Sequence, residues 1–335
     1  MIWISTLPEA LSEWQRTLCT APLWQLADDT LVATEHAQDS AWLVAVGEAL
    51  NPAALSQLGA LLDEQRVSAV LYPLPEAARP TLLLGCDRFS PELVAALRER
   101  TFAFDVCHLR TLPTLAQPGL LVMDMDSTAI RIECIDEIAR LAGVGEQVAA
   151  VTAAAMQGKL EFADSLRNRV ALLEGAPVSI LDEVAANMPW MPGLPELVET
   201  LKGAGWKVAI ASGGFTRFAG ELQRALGLDA IHANELAVAE GRLTGKVTGR
   251  IVDAAVKAEE LTALGEQYGI ALTQRVAVGD GANDLKMMAA AGLGIAIHAK
   301  PVVRAQAAAS IEHHDLDGVL CLLQASRAAT LRWTR

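Results

Sequence analysis

Residues 118–128 read Pro-Gly-Leu-Leu-Val-Met-Asp-Met-Asp-Ser-Thr, an apolar run that passes directly into two aspartates. The run up to Met123 predicts a buried strand, so Asp124 and Asp126 follow a strand end. In open α/β sheets, ligands and reactions are found at such ends. One carboxylate can then act as nucleophile and metal ligand while the other transfers protons. Because an isolated Asp-x-Asp is often only a solvated turn, the rest of the chain has to discriminate between these interpretations.

Two further stretches place polar residues beside regular patterns. Residues 206–214 predict a strand that ends in Ser212, Gly213 and Gly214. Glycine has no Cβ, so backbone N–H groups in such a turn can approach an anion. Lys257 lies at the start of a helical pattern, where a solvated surface lysine is the common alternative. Neither stretch is specific by itself.

An acidic cluster follows a third strand pattern. Residues 275–284 read Arg-Val-Ala-Val-Gly-Asp-Gly-Ala-Asn-Asp, so Asp280, Asn283 and Asp284 follow an apolar run. Hard oxygen ligands in such a cluster suit Mg²⁺, which binds through one or two carboxylates and keeps several waters. Asn283 and Asp284 can also cap the helical pattern that comes next, and the two roles are compatible.

Taken in order, the aspartate pair, the serine, the lysine and the acidic cluster resemble the four motifs of the haloacid dehalogenase superfamily of phosphotransferases. Within that superfamily the spacing is similar to that of the phosphoserine phosphatases. The resemblance covers about the C-terminal two thirds of the chain and shows no departure at a catalytic position. It implies a Mg²⁺-dependent phosphatase that hydrolyses O-phosphoserine to serine and phosphate through an aspartyl-phosphate, as the last step of serine biosynthesis.

The resemblance also implies roles for the acidic residues. Asp124 would be the nucleophile, and Asp126 would protonate the leaving serine oxygen and later activate water. To protonate an alkoxide, Asp126 must carry a proton at neutral pH, which neighbouring carboxylates favour. The Mg²⁺ ligands would be Asp124, the backbone carbonyl of Asp126, and Asp280. Asp284 would orient these ligands without coordinating the metal itself.

Substrate binding is implied in the same way. The phosphoryl group would be held by Ser212, Gly213, Lys257 and Asn283. Phosphoserine also carries an ammonium and a carboxylate, which Glu133 and Arg169 would bind, the arginine with a bidentate contact. Phe162 would shield the closed site from water. Judged without the resemblance, Glu133 and Arg169 are more often surface residues or salt-bridge partners, and a lone helical Phe is usually a core residue.

The predicted fold is α/β, with a phosphatase core over residues 109–335. From Leu120 onward, strands alternate with helices, which predicts a doubly wound parallel sheet of the haloacid dehalogenase type. Helical periodicity from about residue 130 to 191 interrupts the alternation and predicts a helical cap inserted after the first strand. Residues 234–247 predict a β-hairpin with its turn at Glu240-Gly241.

Residues 1–108 predict a small α+β domain. Extended stretches are expected at residues 30–35, 41–47, 69–72 and 81–85, and helices near residues 52–65 and 91–99. A regulatory role, such as binding an amino acid, and a role in dimerisation or structural support are both open for this domain. The chain could thus form a homodimer.

Composition limits the classes of partner. The net charge of −13, from 27 basic and 40 acidic residues, argues against nucleic-acid and anionic-membrane partners. The resemblance implies a small-molecule substrate, O-phosphoserine. Five scattered cysteines without a Cys-x-x-Cys motif predict neither a disulfide framework nor a zinc site. No apolar run is long enough to span a membrane, and the first residues lack a signal-peptide pattern, so a cytoplasmic location is expected.

Two alternatives to phosphoserine hydrolysis are considered. The same fold could transfer the phosphoryl group to another amino-acid hydroxyl or hydrolyse a different small phosphomonoester, because water and an alcohol approach the same phosphorus. A non-catalytic amino-acid sensor built on residues 1–108 belongs to a different class. The presence of every catalytic residue type argues against the sensor.

Overall fold

Two seven-stranded β-sheets organise the protein. The structure is a computed structural model and describes residues 1–8, 13, 23–27, 29–34, 40–72, 77–157 and 160–327. The first sheet is built from residues before 110 and the second from residues after 119. Each part of the chain therefore folds around its own sheet.

The first sheet is antiparallel throughout. Its strands are β1 (Ile2–Trp3), β2 (Leu23–Ala27), β3 (Thr30–Thr34), β4 (Ala41–Val46), β5 (Ala69–Tyr72), β6 (Thr81–Cys86) and β7 (Asp105–Leu109), in the order β1-β3-β2-β5-β6-β4-β7. Helices α1 (Pro52–Glu64) and α2 (Pro91–Glu99) share a core with one face of the sheet. This is the α+β arrangement predicted for the N-terminal part, although Glu35 of the expected strand 30–35 lies outside the described residues.

The second sheet is parallel except for one hairpin. Its strands are β8 (Leu120–Met123), β9 (Lys207–Phe215), β10 (Ala230–Ala239), β11 (Arg242–Thr248), β12 (Arg275–Gly279), β13 (Leu293–Ile297) and β14 (Ala309–Ile311), in the order β11-β10-β9-β8-β12-β13-β14. The hairpin joins β10 to β11 through Glu240 and Gly241, with φ angles of 52° and 73°. Two consecutive positive φ angles are typical of the type I′ turn, which confirms the predicted hairpin.

A helical segment follows β8 and precedes β9. Its described residues form α3 (Cys134–Leu141), α4 (Gly145–Met156), α5 (Phe162–Ala171) and α6 (Ser179–Ala186). Ile130 and Trp190 pair in an antiparallel bridge where the chain leaves and re-enters the core. We call this helical segment the cap, and residues 129–131 with 189–193 the cap neck.

Both faces of the second sheet are buried. Because side chains alternate along a strand, Leu120 and Val122 pack on one face, whereas Leu121 and Met123 pack on the other. The first face is covered by α9 (Ala254–Gln267), α10 (Leu285–Ala290) and α11 (Pro301–Arg304), and the second by α7 (Leu194–Gly203), α8 (Thr216–Leu226) and α12 (Leu316–Gln324). The predicted doubly wound α/β fold is confirmed.

The two sheets are joined through α12. The face of the first sheet that α1 and α2 leave free packs Val44 and Tyr72 against Cys321 and Ala325 of the C-terminal region. Strand β7 ends at Leu109, so the first sheet extends one residue beyond the expected segment 1–108. Residues 1–109 therefore bury apolar surface that belongs to the C-terminal part.

Two features bear on the predictions from composition. Cys86, Cys107, Cys134 and Cys321 are buried free thiols, and Cys19 lies outside the described residues. Within the described ranges, no helix combines the length and the apolar character that crossing a membrane requires.

Candidate active site

Asp124 directly follows β8, which lies between β9 and β12. Its backbone N–H donates to the Val278 carbonyl across 3.0 Å and so continues the β8–β12 pairing beyond the strand. The carboxylate is buried, and its Oδ1 accepts the Met125 N–H at 2.7 Å. Strand order reverses at β8, and crevices at such points hold the ligands of open α/β sheets. The fold thus fixes Asp124 where a ligand can reach it.

Lys257 approaches Asp124 from α9. Its Nζ donates to Asp124 Oδ2 at 2.6 Å and to Asp284 Oδ1 at 2.7 Å. Burial disfavours the ammonium, but the carboxylates of Asp124 and Asp284 outweigh it and raise the pKa of Lys257 above its ordinary value. Asn283 Nδ2 also donates to Asp124 Oδ2, at 3.3 Å. The structure therefore brings Lys257 into the site and not to the surface.

Asp126 lies close to Asp124 but in different surroundings. Its Oδ2 accepts the Cys134 N–H at 3.4 Å, whereas its buried Oδ1 has no hydrogen-bond partner among the residues described. Burial raises the pKa of Asp126 well above its usual range, and the charges of Glu133 and Asp124 raise it further. A neutral carboxyl group at this position can donate a proton.

A tight turn connects Asp126 to Glu133. Ser127 has a φ of 55°, and its Oγ donates to Glu133 Oε1 at 2.8 Å. A left-handed residue other than glycine costs about 1–2 kcal/mol, so the surrounding contacts must hold it. The Ser127 N–H donates to the Ile132 carbonyl at 3.3 Å, which closes the turn. Glu133 thereby faces the same space as the aspartates.

Ser212, Gly213 and Gly214 lie in the last part of β9, which runs on to Phe215. The buried Ser212 Oγ accepts the Gly214 N–H at 3.0 Å. A Cβ added to Gly213 would lie 2.7 Å from Cζ of Phe162, so only glycine allows the cap to approach this closely. The Gly213 carbonyl accepts Nδ2 of Asn234 at 2.8 Å.

Asn234 is a site residue that the sequence analysis missed. Its side chain is fully buried, and its Oδ1 accepts the Val252 N–H at 2.9 Å while its Nδ2 donates to Gly213. Val252 directly precedes Asp253, the N-cap of the helix that carries Lys257. Asn234 therefore joins the glycine-containing end of β9 to the helix that carries Lys257. An asparagine within a strand pattern was the signal in the sequence, and in the structure it lies next to a break in the β9–β10 register.

The cap covers the carboxyl end of the parallel sheet, where the site lies. A cavity of about 210 Å³ lies between cap and core. It is lined by Asp124, Asp126, Glu133, Phe162, Arg169, Ser212, Gly213, Asp280 and Asn283, together with Ile135, Leu166, Gly214 and Phe215. Drug-sized ligands occupy pockets of about 300–1,000 Å³, so this cavity suits a smaller metabolite. All predicted site residues therefore meet at one place, with Lys257 and Asp284 directly behind Asp124.

The charges around the cavity are unbalanced. Asp124, Asp280 and Asp284 each offer a carboxylate oxygen, and these oxygens lie within 4.8 Å of one another. Burial, and then the charges of Asp124 and Glu133, raise the pKa of Asp280 to about 6. Lys257 pairs with Asp124 and Asp284, and Arg169 is the one cationic side chain among the described residues that line the cavity. Hard oxygen donors and excess negative charge fit a divalent cation.

Within the acidic cluster, both carboxylate oxygens of Asp284 are already engaged. Asp284 Oδ1 accepts from Lys257, and its Oδ2 accepts the Gly281 N–H at 3.0 Å. Asp280 Oδ1 accepts only a longer bond, from Thr128 Oγ1 at 3.3 Å. Asp280 is therefore the more available ligand, and Asp284 is the residue that positions Lys257. Thr128 was not singled out from the sequence, because hydroxyl residues in turns are common.

Comparison with known proteins agrees with this geometry. The family model of haloacid dehalogenase-like hydrolases matches residues 121–289. The phosphoserine phosphatase of Vibrio cholerae serotype O1 is 46% identical over 301 residues, which make up 90% of either chain.

Solved structures show the same relationship. A crystal structure of a probable phosphoserine phosphatase from Vibrio cholerae, in its unliganded form, is similar with a TM-score of 0.73 and 45% identity, and the match covers 90% of this chain and 91% of that one. A structure described as a phospho-aspartyl intermediate analogue of phosphoserine phosphatase is 43% identical with a TM-score of 0.58, over 61% of this chain and 98% of that one. The chain belongs to the haloacid dehalogenase-like hydrolases and, within them, to the phosphoserine phosphatase family.

Proposed function

We propose that the chain hydrolyses O-phosphoserine to serine and phosphate in a Mg²⁺-dependent reaction, as the last step of serine biosynthesis. One observation carries the proposal. A single small cavity holds the aspartate pair Asp124 and Asp126 together with an acid, Glu133, and a base, Arg169. The first pair fits phosphoryl transfer, and the second fits the ammonium and carboxylate of an amino acid.

The reaction proceeds in two displacements. The Asp124 carboxylate attacks phosphorus, the bond from phosphorus to the serine oxygen breaks, and the proton of Asp126 passes to that oxygen. Water then attacks the phosphorus of the aspartyl-phosphate, Asp126 takes a proton from the water, and Asp124 leaves as a carboxylate. The raised pKa of Asp126 and its unpaired, buried Oδ1 support this division of roles.

The phosphoryl oxygens need neutralisation during both steps. Ser212, the Gly213 N–H, Lys257 and Asn283 are the groups that would bind them. Bound Mg²⁺ supplies additional positive charge to such oxygens, and Asp124, Asp280 and the backbone carbonyl of Asp126 would hold it. Asp284 keeps Lys257 in place through the 2.7 Å ion pair.

Specificity is assigned to the cap. Burial lowers the pKa of Arg169, whereas Asp136 and Glu133 favour its charged form. Among the described residues its guanidinium makes one weak hydrogen bond, from Nε to the Ser165 carbonyl at 3.4 Å. It is thus free to form a bidentate contact with a carboxylate. Phe162, in contact distance of Gly213, would exclude water from the closed site.

A phosphate-release assay over a panel of phosphomonoesters tests the proposal. The panel includes O-phosphoserine, O-phosphothreonine and an aryl phosphate, each with Mg²⁺, with a chelator, and with alternative alcohols as acceptors. We expect O-phosphoserine to have the highest kcat/KM, chelation to abolish turnover, and water to be the acceptor. A higher kcat/KM for a monoester without an amino-acid moiety, or transfer chiefly to an added alcohol, would refute the proposal.

A further inference from the structure

Residues 312–317 comprise the loop after β14 and the first two residues of α12, and they contact two distant parts of the molecule. One part is the N-terminal sheet and the other is the cap neck. None of the described residues before Asp124 lines the active-site cavity. Any effect of the N-terminal part on the reaction must therefore pass through such a connection. We call residues 312–317 the brace.

On the N-terminal side, Asp105 binds the brace with its whole carboxylate. Oδ1 accepts the backbone N–H groups of Glu312 at 2.6 Å and His313 at 3.0 Å. Oδ2 accepts the His314 N–H at 3.1 Å and lies 2.8 Å from the ring Nδ1 of His314. The Asp105 side chain is only 2% exposed. Hydrogen bonds to a buried carboxylate are strong, so the start of the brace is fixed to β7.

A second contact fixes the end of the brace. Arg79, which precedes β6, places Nε 2.7 Å from Asp317 Oδ2. The other oxygen of Asp317 accepts the N–H groups of Asp315 at 3.1 Å and Gly318 at 2.9 Å. The same carboxylate therefore orients the brace backbone and ties it to the N-terminal sheet.

On the other side, the brace holds the cap neck. Asp315 Oδ2 accepts from Arg131 at 3.1 Å. The Leu316 N–H donates to the Pro192 carbonyl at 3.1 Å. A Cβ on Gly193, whose φ is 80°, would lie 2.3 Å from the Asp317 nitrogen. Only glycine permits this approach, so the brace and the neck are in direct backbone contact.

The neck leads straight to the catalytic turn. The Arg131 N–H donates to the Pro189 carbonyl at 2.9 Å, and the Met191 N–H donates to the Ala129 carbonyl at 2.9 Å. In the sequence Arg131 lies between Asp126 and Glu133. A shift of the neck therefore moves Glu133 and the cap helices relative to the core.

We propose that Asp105 and Arg79 of the N-terminal sheet are positioning residues that act through the brace on the cap neck and so hold the cap over the active site. The N-terminal part thus contributes to substrate recognition without touching the substrate. The kinetic consequences rest on the function proposed above, whereas the mechanical coupling does not.

Hydrogen–deuterium exchange tests the coupling without reference to activity. The readout is the exchange rate of the neck amides of Arg131 and Met191 relative to the amides of the central strand β12. In full-length Asp105→Asn we expect both neck amides to exchange about tenfold faster than in the wild type, and in full-length Arg79→Ala about threefold faster. Arg100→Ala is the matched control for Arg79→Ala, because Arg100 is similarly exposed and pairs with Glu64 inside the N-terminal part. Asp229→Asn is the control for Asp105→Asn, because Asp229 also binds a backbone N–H, that of Val208, at 3.0 Å.

The outcomes separate the two proposals. Selective acceleration at the neck in both test variants, with unchanged neck exchange in both controls, supports the brace. Equal acceleration in test and control variants, or at the neck and β12 alike, would overturn it even if the enzyme hydrolyses phosphoserine. A wild-type protein inactive on phosphoserine would refute the proposed function but leave the exchange result valid.

Kinetics provide the second readout. Arg79→Ala should raise KM for phosphoserine about threefold while changing KM for an aryl phosphate less than twofold, because only the first substrate needs the cap residues. Arg131→Ala should act similarly. The double variant should be no worse than Arg131→Ala alone, because both changes interrupt one connection. Additive effects of the two substitutions would contradict the proposal.

Discussion

Lys257 Nζ lies 2.6 Å from Asp124 Oδ2, although 133 positions separate the two residues in the chain. Their side chains are 1% and 6% exposed. A buried ammonium at this distance offsets the charge of the carboxylate and stays beside any group that becomes attached to it. The ion pair thus serves the fold and the proposed reaction at once.

Lys257→Met should therefore lower both the stability of the fold and the rate of the proposed reaction. It leaves two buried carboxylates without their cation, and breaking such a pair typically costs about 3–5 kcal/mol of unfolding free energy. Loss of one contact that stabilises charge typically lowers kcat by about 10²–10³. Denaturant unfolding and phosphate release measure the two effects. Lys207→Met is the control, because Lys207 pairs with Asp229 at 2.8 Å on the surface. Comparable losses in both variants would contradict a special role for Lys257.

Substitutions in the aspartate pair should distinguish formation of the phospho-enzyme from protonation of the leaving group. Asp124→Asn should abolish turnover and any phospho-enzyme detectable by intact-protein mass spectrometry after acid quench, because an amide is a poor nucleophile. Asp126→Asn should impair phosphoserine hydrolysis far more than formation of the phospho-enzyme from an aryl phosphate, whose leaving group needs little protonation. Equal losses of the phosphorylation step on both substrates would indicate that Asp126 is only structural.

Arg169→Ala should raise KM for phosphoserine strongly, because it removes a contact to the carboxylate worth about 2–5 kcal/mol when desolvated. Hydrolysis of a phosphate ester without a carboxylate should change little. Arg169→Lys should restore binding only partly, since an ammonium cannot form the planar fork. Arg167→Ala is the control on the same helix, where Arg167 pairs with Asp164 and is 61% exposed. If Arg169→Ala impaired both substrates alike, its role in recognition would be refuted.

Asn234→Asp should lower kcat by about tenfold or more, since it replaces the donor to the Gly213 carbonyl with a second acceptor and shifts the end of β9 that is proposed to bind the phosphoryl group. Inhibition by vanadate, a mimic of the transferred group, should weaken in parallel. Asn187→Asp makes the same chemical change on the surface, where Asn187 Nδ2 donates to the Glu183 carbonyl at 2.9 Å. Unchanged vanadate inhibition in Asn234→Asp would show that Asn234 supports only the fold.

Much of the core and the site could be read from the chain because the signals are local. Asp124, Ser212 and the acidic cluster at Asp280 each follow an apolar run, and parallel strands with right-handed crossovers place successive carboxyl ends on one edge of a sheet. Asp124, Ser212 and Asp280 therefore had to lie close together once the alternation of strands and helices was recognised. The hairpin turn at Glu240-Gly241 was equally local, and the structure confirms it.

Other features depend on contacts between residues far apart in the chain, which leave no periodic pattern in it. Asn234 acquires its role only when β10 lies beside β9. The hydrogen bonds from the brace to Asp105 likewise join residues that are separated by 207 to 209 positions in the chain. His313 and His314 follow β14, and the side-chain partner of His314 is Asp105 of the other sheet.

The N-terminal part shows the same division. Its mixed α and β character followed from short alternating patterns, whereas the seven-stranded order and the pairing of β1, β2 and β7 did not. Those strands gain their stability from neighbours and from the packing of α12, and local propensity is weak beside such tertiary packing. Residue types and their spacing, through their resemblance to a known family, were thus sufficient to predict the family. The path by which residues 1–109 reach the cap arose from long-range packing and required the folded structure.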